Sequence, residues 1–469
     1  MIAAFSALSA RRRGAVGLGA ATLVSGLVTA GVMAGAGTAG AEETARSESG
    51  ATATIGGLKT YGAAVIHGEP GDQQVSAGLF EMSVEGGGTL QTYCVDMHNP
   101  TQKDARYHET AWDGTSLGAN KDAGRIRWIL QNSYPQVNDL AALAQKAGVR
   151  GALTEQDAAA GTQVAIWRYS DDADVDAVDP QAERLADYLE KNARDLPEPR
   201  ASLTLSPAAV SGRPGERLGP VTVGTNARGV TVSPPADAAT SGVRIVDRTG
   251  RAVTSARDGS QLFFEVPKDA PAGTAQLTVQ ASTTVPVGRA FASEGRSQTQ
   301  ILAGSSASTV SAAASATWGE SGALTALSAE KNCAEGGVDL TAVNEGDEPY
   351  TFELAGTKHT VAAGETLTVT LPLPEDQGYD FTVQGPGGFE QRFTGMLDCR
   401  TQGPQGGATT QTLTEPSPAT VAGPTSPTNL AATGSSSATP FIAGTAIALV
   451  VIGGAALLIV RRRQTPPRD

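Results

Sequence analysis

Short runs in which apolar and polar residues alternate, each closed by glycine or proline, recur through most of this chain. Gly78-Leu79-Phe80-Glu81-Met82-Ser83-Val84, Leu262-Phe263-Phe264-Glu265-Val266 and Thr366-Leu367-Thr368-Val369-Thr370-Leu371 are examples. A period of two places one side chain in the core and the next in solvent, which a strand satisfies and a helix does not. Runs this short build small sheets, not one large α/β core. The composition agrees: 56 glycines, 26 prolines and only 5% aromatic residues. At 469 residues the chain exceeds one ordinary domain. The expected fold class is therefore multi-domain and mostly β.

Both ends differ from the body. Arg11-Arg12-Arg13, the apolar stretch Gly14 to Met33 and the small residues Ala39-Gly40-Ala41 predict a signal peptide over 1–41. Phe441 to Val460 is a run of 20 uncharged residues followed by Arg461-Arg462-Arg463. That predicts a C-terminal transmembrane helix over 441–460 with a cytoplasmic basic tail. Residues 401–429 are rich in Thr, Gly, Pro and Ser, with Glu415 as the single charge, and predict a disordered linker. The whole chain carries −13; three arginines lie in 1–41, and four arginines and one aspartate lie beyond 433, so 42–433 carries −19. Such a surface repels phosphate backbones, and no nucleic-acid partner is expected.

Three folded regions are predicted between the ends. Region 53–199 opens with strand signals at Thr60 to Val65 and Gly78 to Val84, then a turn at Gly86-Gly87-Gly88 and a strand over Thr89 to Val95. Helical patterns follow at Arg125 to Gln131, Asn138 to Lys146, a helix opened by the capping box Thr154-Glu155-Gln156-Asp157, and Gln181 to Asn192. This is an α+β head, with Cys94 on its sheet and Gln163 on the capped helix. Gly161 lies inside that helix, where glycine costs ~1 kcal/mol relative to alanine, so a close backbone approach is expected there. Regions 201–302 and 317–400 carry only short strand signals and are expected to be immunoglobulin-like sandwiches.

The chain has three cysteines. Cys333 and Cys399 stand near the two ends of the third region and are expected to form a disulfide in an oxidising compartment. Cys94 is left over. On the residues alone it is a buried thiol, a nucleophile served by His98 or His108 with Asp96 as orienting group, or one half of a cross-link. No metal-ligand spacing is met, and no metal or cofactor is expected.

Two resemblances narrow these readings. Tyr93-Cys94-Val95-Asp96 and Thr162-Gln163-Val164-Ala165, with Trp128 to Pro135, resemble the signature segments of the bacterial thioester (TQxA) domain. The resemblance implies a thioester cross-link between Cys94 and Gln163, made when the cysteine sulfur displaces ammonia from the glutamine carboxamide. Asp96 and His98 are then candidates to assist that step, and Tyr93 and Trp167 to cover the bond. Leu430-Ala431-Ala432-Thr433-Gly434, followed by the apolar span and basic tail, resembles the LAxTG form of the cell-wall sorting signal of Gram-positive bacteria. That implies cleavage by a sortase after Thr433, joining to peptidoglycan, and an actinobacterial type of sortase, since Ala431 stands where the commoner signal has proline. Together they imply an extracellular, wall-anchored adhesin, not an enzyme, that attaches covalently to an amine-bearing surface or matrix protein. A wall-anchored structural or coat protein with a non-covalent binding head is the alternative.

Overall fold

The computed structural model describes residues 49–68, 71–375, 377–384 and 390–399. The expected signal peptide, the linker 401–429, the sorting motif Leu430 to Gly434 and the span 441–460 lie outside the described residues. Among the described residues no helix is long and apolar enough to cross a membrane.

The head is a seven-stranded antiparallel sheet, in the order Gln73–Val84, Thr89–Cys94, Gln300–Ser305, Ala290–Ser293, Arg106–Thr110, Thr52–Ile66 and Val175–Ala177. Gln73–Val84 also pairs along Thr52–Ile66, so six of these strands close into a ring. Closure removes the open edges that a sheet otherwise exposes. One face of this sheet, with Leu79, Tyr93, Ala290 and Ile301, packs under the helices Ala123–Asn132, Leu140–Ala147, Glu155–Ser170 and Pro180–Asn192. The other, with Ile55, Phe80, Met82, Leu90 and Phe291, shares a core with the next region.

The helices follow from their local chemistry. Thr154 and Asp157 form a complete capping box at the start of Glu155–Ser170. A Cβ on Gly161 would lie 2.3 Å from the carbonyl oxygen of Ala182, so glycine lets the helix Pro180–Asn192 come into backbone contact.

The second region is a sandwich of two sheets. One runs Arg244–Val246, Gln261–Glu265, Arg217–Thr225, Leu203–Ser206; the other is built on Ser308–Trp318 and Gly273–Thr283. Leu205, Val221, Val223, Phe264, Leu277 and Val279 fill the space between them. This corrects the boundaries read from sequence in two places. Ala290–Ser293 and Gln300–Ser305 fall within 201–302 but pair in the head sheet, so the head is discontinuous in sequence. Ser308–Trp318, to which the sequence reading assigns no strand, pairs along all eleven residues with Gly273–Thr283 and also with Ser49–Gly50.

A buried ion pair closes the junction between head and sandwich. The Glu109 side chain is fully buried and that of Arg289 is 6% exposed. The carboxylate accepts from Arg289 Nε at 3.0 Å, Ala51 N at 3.1 Å, Ser202 N at 2.9 Å and Ser202 Oγ. Arg289 also donates to Glu198 and to the Pro199 carbonyl. A charge taken out of water needs this degree of compensation.

The third region has the sheet Thr325–Asn332, Gly337–Asn344, Thr366–Pro372 and two hairpins, Tyr350–Leu354 with Thr357–Val361 and Gln377–Gln384 with Glu390–Leu397. One core, including Leu327, Leu340, Phe352 and Phe393, joins all three pieces. Cys333 and Cys399 are disulfide-bonded.

Candidate functional site

Cys94 ends the strand Thr89–Cys94, and Gln163 lies in the middle of the helix packed over that strand's end. Both are completely buried. The carboxamide of Gln163 docks on the backbone of Cys94 at two points. Cys94 N donates to Gln163 Oε1 at 3.1 Å, and Gln163 Nε2 donates to the Cys94 carbonyl at 2.9 Å. The thiol Sγ lies 3.5 Å from the same Oε1. Two bonds in opposite directions fix the amide plane, so the sulfur faces one defined group.

Trp167, one turn after Gln163 on the same helix, donates its indole N–H to Cys94 Sγ at 3.1 Å. Tyr93 is also fully buried and donates its hydroxyl to the Tyr134 carbonyl at 2.9 Å. The two aromatic residues expected as cover are both buried, and Trp167 touches the sulfur through a polar contact that spacing could not reveal. Thr162 satisfies its own hydroxyl on the Ala158 carbonyl at 2.7 Å.

The electrostatics oppose a resting thiolate. Burial pushes the Cys94 thiol well above its ordinary range; the charge of Asp171 adds to this, the Trp167 hydrogen bond opposes it, and Asp96 adds a smaller contribution. Burial also holds the Asp171 carboxyl well above the usual carboxylate range, with Asp96 as a further cause. Asp171 accepts from Met97 N at 3.1 Å and from Ser170 Oγ at 2.6 Å. It stands at the C-terminal end of the helix, where an acid opposes the macrodipole. Sequence reasoning did not single it out, although an aspartate at that helix end is itself a signal.

The other sequence candidates are placed as follows. Asp96 is buried and accepts from the backbone N–H groups of His98 at 3.2 Å and Asn99 at 3.3 Å and from the Asn99 side chain, so it shapes the turn after the cysteine strand. The His98 ring is half-buried, and burial lowers its basicity. His108 lies on Arg106–Thr110, with its ring nitrogens engaged by Thr52 Oγ1 at 3.0 Å and by Glu294. The structure therefore brings Cys94 to Gln163 and Trp167, and commits His108 elsewhere. The strand Gln300–Ser305 borders the cysteine strand on its other side, with Gln300 opposite Cys94 and Val95 N donating to the Thr299 carbonyl at 3.1 Å. That support was not legible in the sequence.

Comparisons with known proteins bear on this site. Residues 91–195 match the family model described as "Thioester domain". Residues 321–396, in the third region, match the model described as "Bacterial phospholipase C, C-terminal domain". No curated protein matches the chain. Among solved structures, the chain is similar to the Bacillus anthracis TIE protein at 15% identity and a TM-score of 0.26, over 75% of this chain and 81% of that one. It is similar to the thioester domain of the Enterococcus faecium TIE86 protein at 16% identity and a TM-score of 0.27, over 58% of this chain and 97% of that one. The thioester domain of the Staphylococcus aureus TIE protein aligns at 14% identity and a TM-score of 0.17, over 57% of this chain and 99% of that one. Scores this low carry no argument about function. The family match is the informative one: residues 91–195 match the thioester-domain model, and both Cys94 and Gln163 fall inside the matched stretch.

Proposed function

We propose that Cys94 and Gln163 form an internal thioester and that the head uses it to attach covalently to amines on a target. The observation that carries this reading is the two-point docking of the Gln163 carboxamide on the Cys94 backbone, with the sulfur beside it. To form the bond, Sγ attacks Cδ of Gln163, the C–N bond breaks, and the nitrogen leaves as ammonia with the thiol proton. The Cys94 N–H stabilises the oxygen that gains charge on the way. To react, an amine nitrogen attacks the same carbon, the C–S bond breaks, and an amide to the target replaces the thioester. A thiolate leaves more readily than an amide nitrogen, so an amine takes the acyl group from the thioester and not from an ordinary glutamine. Each chain holds one such acyl group and consumes it, which makes the protein a stoichiometric reactant and not an enzyme.

The segments at both ends support the cellular setting of this reading. A signal peptide over 1–41, a linker over 401–429, Leu430-Ala431-Ala432-Thr433-Gly434 and the span 441–460 would export the chain and join Thr433 to peptidoglycan. The head would then project from the wall toward an amine-bearing surface or matrix protein.

The test is the intact mass of the protein purified under denaturing, amine-free conditions. It should be lower by one ammonia than the sequence mass with one disulfide. Cys94→Ala and Gln163→Ala should each restore the missing mass. A full mass in the unchanged protein removes the covalent reading and leaves the alternative, a head that binds non-covalently.

A further inference from the structure

We infer that Trp167 is a catalytic residue of the head: its indole N–H holds the sulfur of Cys94 as the thioester opens to an amine. The inference rests on the thioester reading above, but on a separate observation, the 3.1 Å contact from Trp167 Nε1 to Cys94 Sγ.

An indole N–H can only donate. Aimed at a sulfur in a completely buried site, it meets an atom whose charge changes during the reaction. In the thioester the sulfur is a weak acceptor, and the contact contributes little. As the amine lone pair adds to Cδ of Gln163 and the C–S bond breaks, the bonding electron pair stays on sulfur. The sulfur then carries a full negative charge until the proton released by the amine nitrogen reaches it. The surroundings do not favour that charge. The sulfur is completely buried, and the charges of Asp171 and Asp96 also oppose it. A donor already in place strengthens as the bond breaks and so acts on the transition state more than on the resting state.

The fold explains why this residue holds that place. Gln163 and Trp167 are four apart on one helix, so a single rigid element presents both the acyl carbon and the donor. Trp167 is fully buried, with its indole N–H on the sulfur. The polarity is divided between two donors. Cys94 N serves the carbonyl oxygen and Trp167 Nε1 serves the leaving sulfur. The same arrangement keeps the store inert, because only a nucleophile that enters the closed site can use both.

The experiment replaces Trp167 in the full chain by β-(3-benzothienyl)alanine, which keeps the bicyclic shape and substitutes sulfur for the N–H, with Trp167→Phe alongside. Thermal midpoints establish that each variant folds. Ammonia loss by intact mass should be complete in the isostere variant. Methylamine is the probe, and release of the Cys94 thiol is followed over time. The first-order constant at fixed methylamine should fall by about tenfold to a hundredfold, the effect of losing a hydrogen bond to a charged atom. The loss should be larger for weakly basic amines, which expel the thiolate less readily; a mere packing defect would slow all amines alike. A rate within about twofold of the unchanged protein, with ammonia loss intact, overturns the role of Trp167 and leaves the thioester standing. Absence of ammonia loss in the unchanged protein overturns both.

Discussion

Gln300 lies directly opposite Cys94 in the head sheet, and Thr92 Oγ1 donates to Gln300 Oε1 at 2.9 Å beside it. The strand that supports the candidate site therefore arrives only after the chain has passed through most of the sandwich. An isolated 53–199 fragment lacks Gln300–Ser305 and leaves the cysteine strand with an open edge.

The Cys94 thiol should titrate high when Gln163 cannot bind it. Burial raises its pKa, and the Asp171 charge raises it further. A raised thiol pKa means less thiolate at a given pH, so alkylation should need a more alkaline solution. In native Gln163→Ala, the pH midpoint of iodoacetamide labelling should lie above that of the same chain in urea. Adding Asp171→Asn should move the native midpoint down. An unchanged midpoint would show that Asp171 does not act on the sulfur.

Gly161→Ala should destabilise the head. Propensity alone favours alanine by ~1 kcal/mol in a helix. The new Cβ, however, would meet the Ala182 carbonyl oxygen at 2.3 Å. Separating two packed helices costs roughly 1–3 kcal/mol, so the net change is a loss. Chemical denaturation followed by tryptophan fluorescence measures it; a gain in stability would mean that the helices part at no cost.

Arg289→Ala should be among the most damaging single changes outside the site. It leaves the fully buried Glu109 carboxylate without its cation. Breaking such a pair costs about 3–5 kcal/mol. Glu109→Gln in the Arg289→Ala background should recover part of that loss, because the remaining group is neutral. Urea titration of the three proteins gives the comparison, and equal midpoints for Arg289→Ala and the unchanged chain would discard the role of this pair.

Removing both Cys333 and Cys399 should loosen the third region and leave the head's chemistry alone. The bond closes a loop with a sequence separation of 66. In the chain-entropy model such a closure contributes ~4 kcal/mol. Limited proteolysis should cut 321–399 first in the double alanine variant, while the mass loss at Cys94 and Gln163 persists. Loss of both together would mean that the third region supports the head.

Thr433→Ala should release the protein from the wall fraction if the sorting signal operates as proposed. Fractionation of producing cells into wall, membrane and medium reads the result. Wall attachment that survives the substitution would remove the sortase reading.

Much of the head was legible because its signals are local. The capping box of Thr154 and Asp157, the glycine at 161 and the alternation of Gly78 to Val84 each report on neighbours a few residues away. The resemblance at Cys94 and Gln163 added the one long-range pairing that mattered most. What escaped was of two kinds. Gln300 meets Cys94 across more than two hundred residues, and no local pattern encodes that register. Ser308–Trp318 buries Val310, Ala312, Ala314 and Ala316 on one face, and alanine is a weak strand signal because it offers so little side chain to pack. Trp167 was read as apolar cover, since sequence shows a ring but not where its one donor points.

The head's discontinuity also sets how the protein would bear tension. Gln300–Ser305, hydrogen-bonded to the cysteine strand, is separated by only two residues from Ser308–Trp318 of the sandwich. Part of a pull on the head is thus carried through Ser306 and Ala307 into a strand bonded along its full length to Gly273–Thr283. Drawn along their own axis, the hydrogen bonds of that ladder are loaded together and in shear, not opened one by one like a zipper. A target joined as an amide to Gln163 would then be backed by a crossing into the sandwich only two residues long.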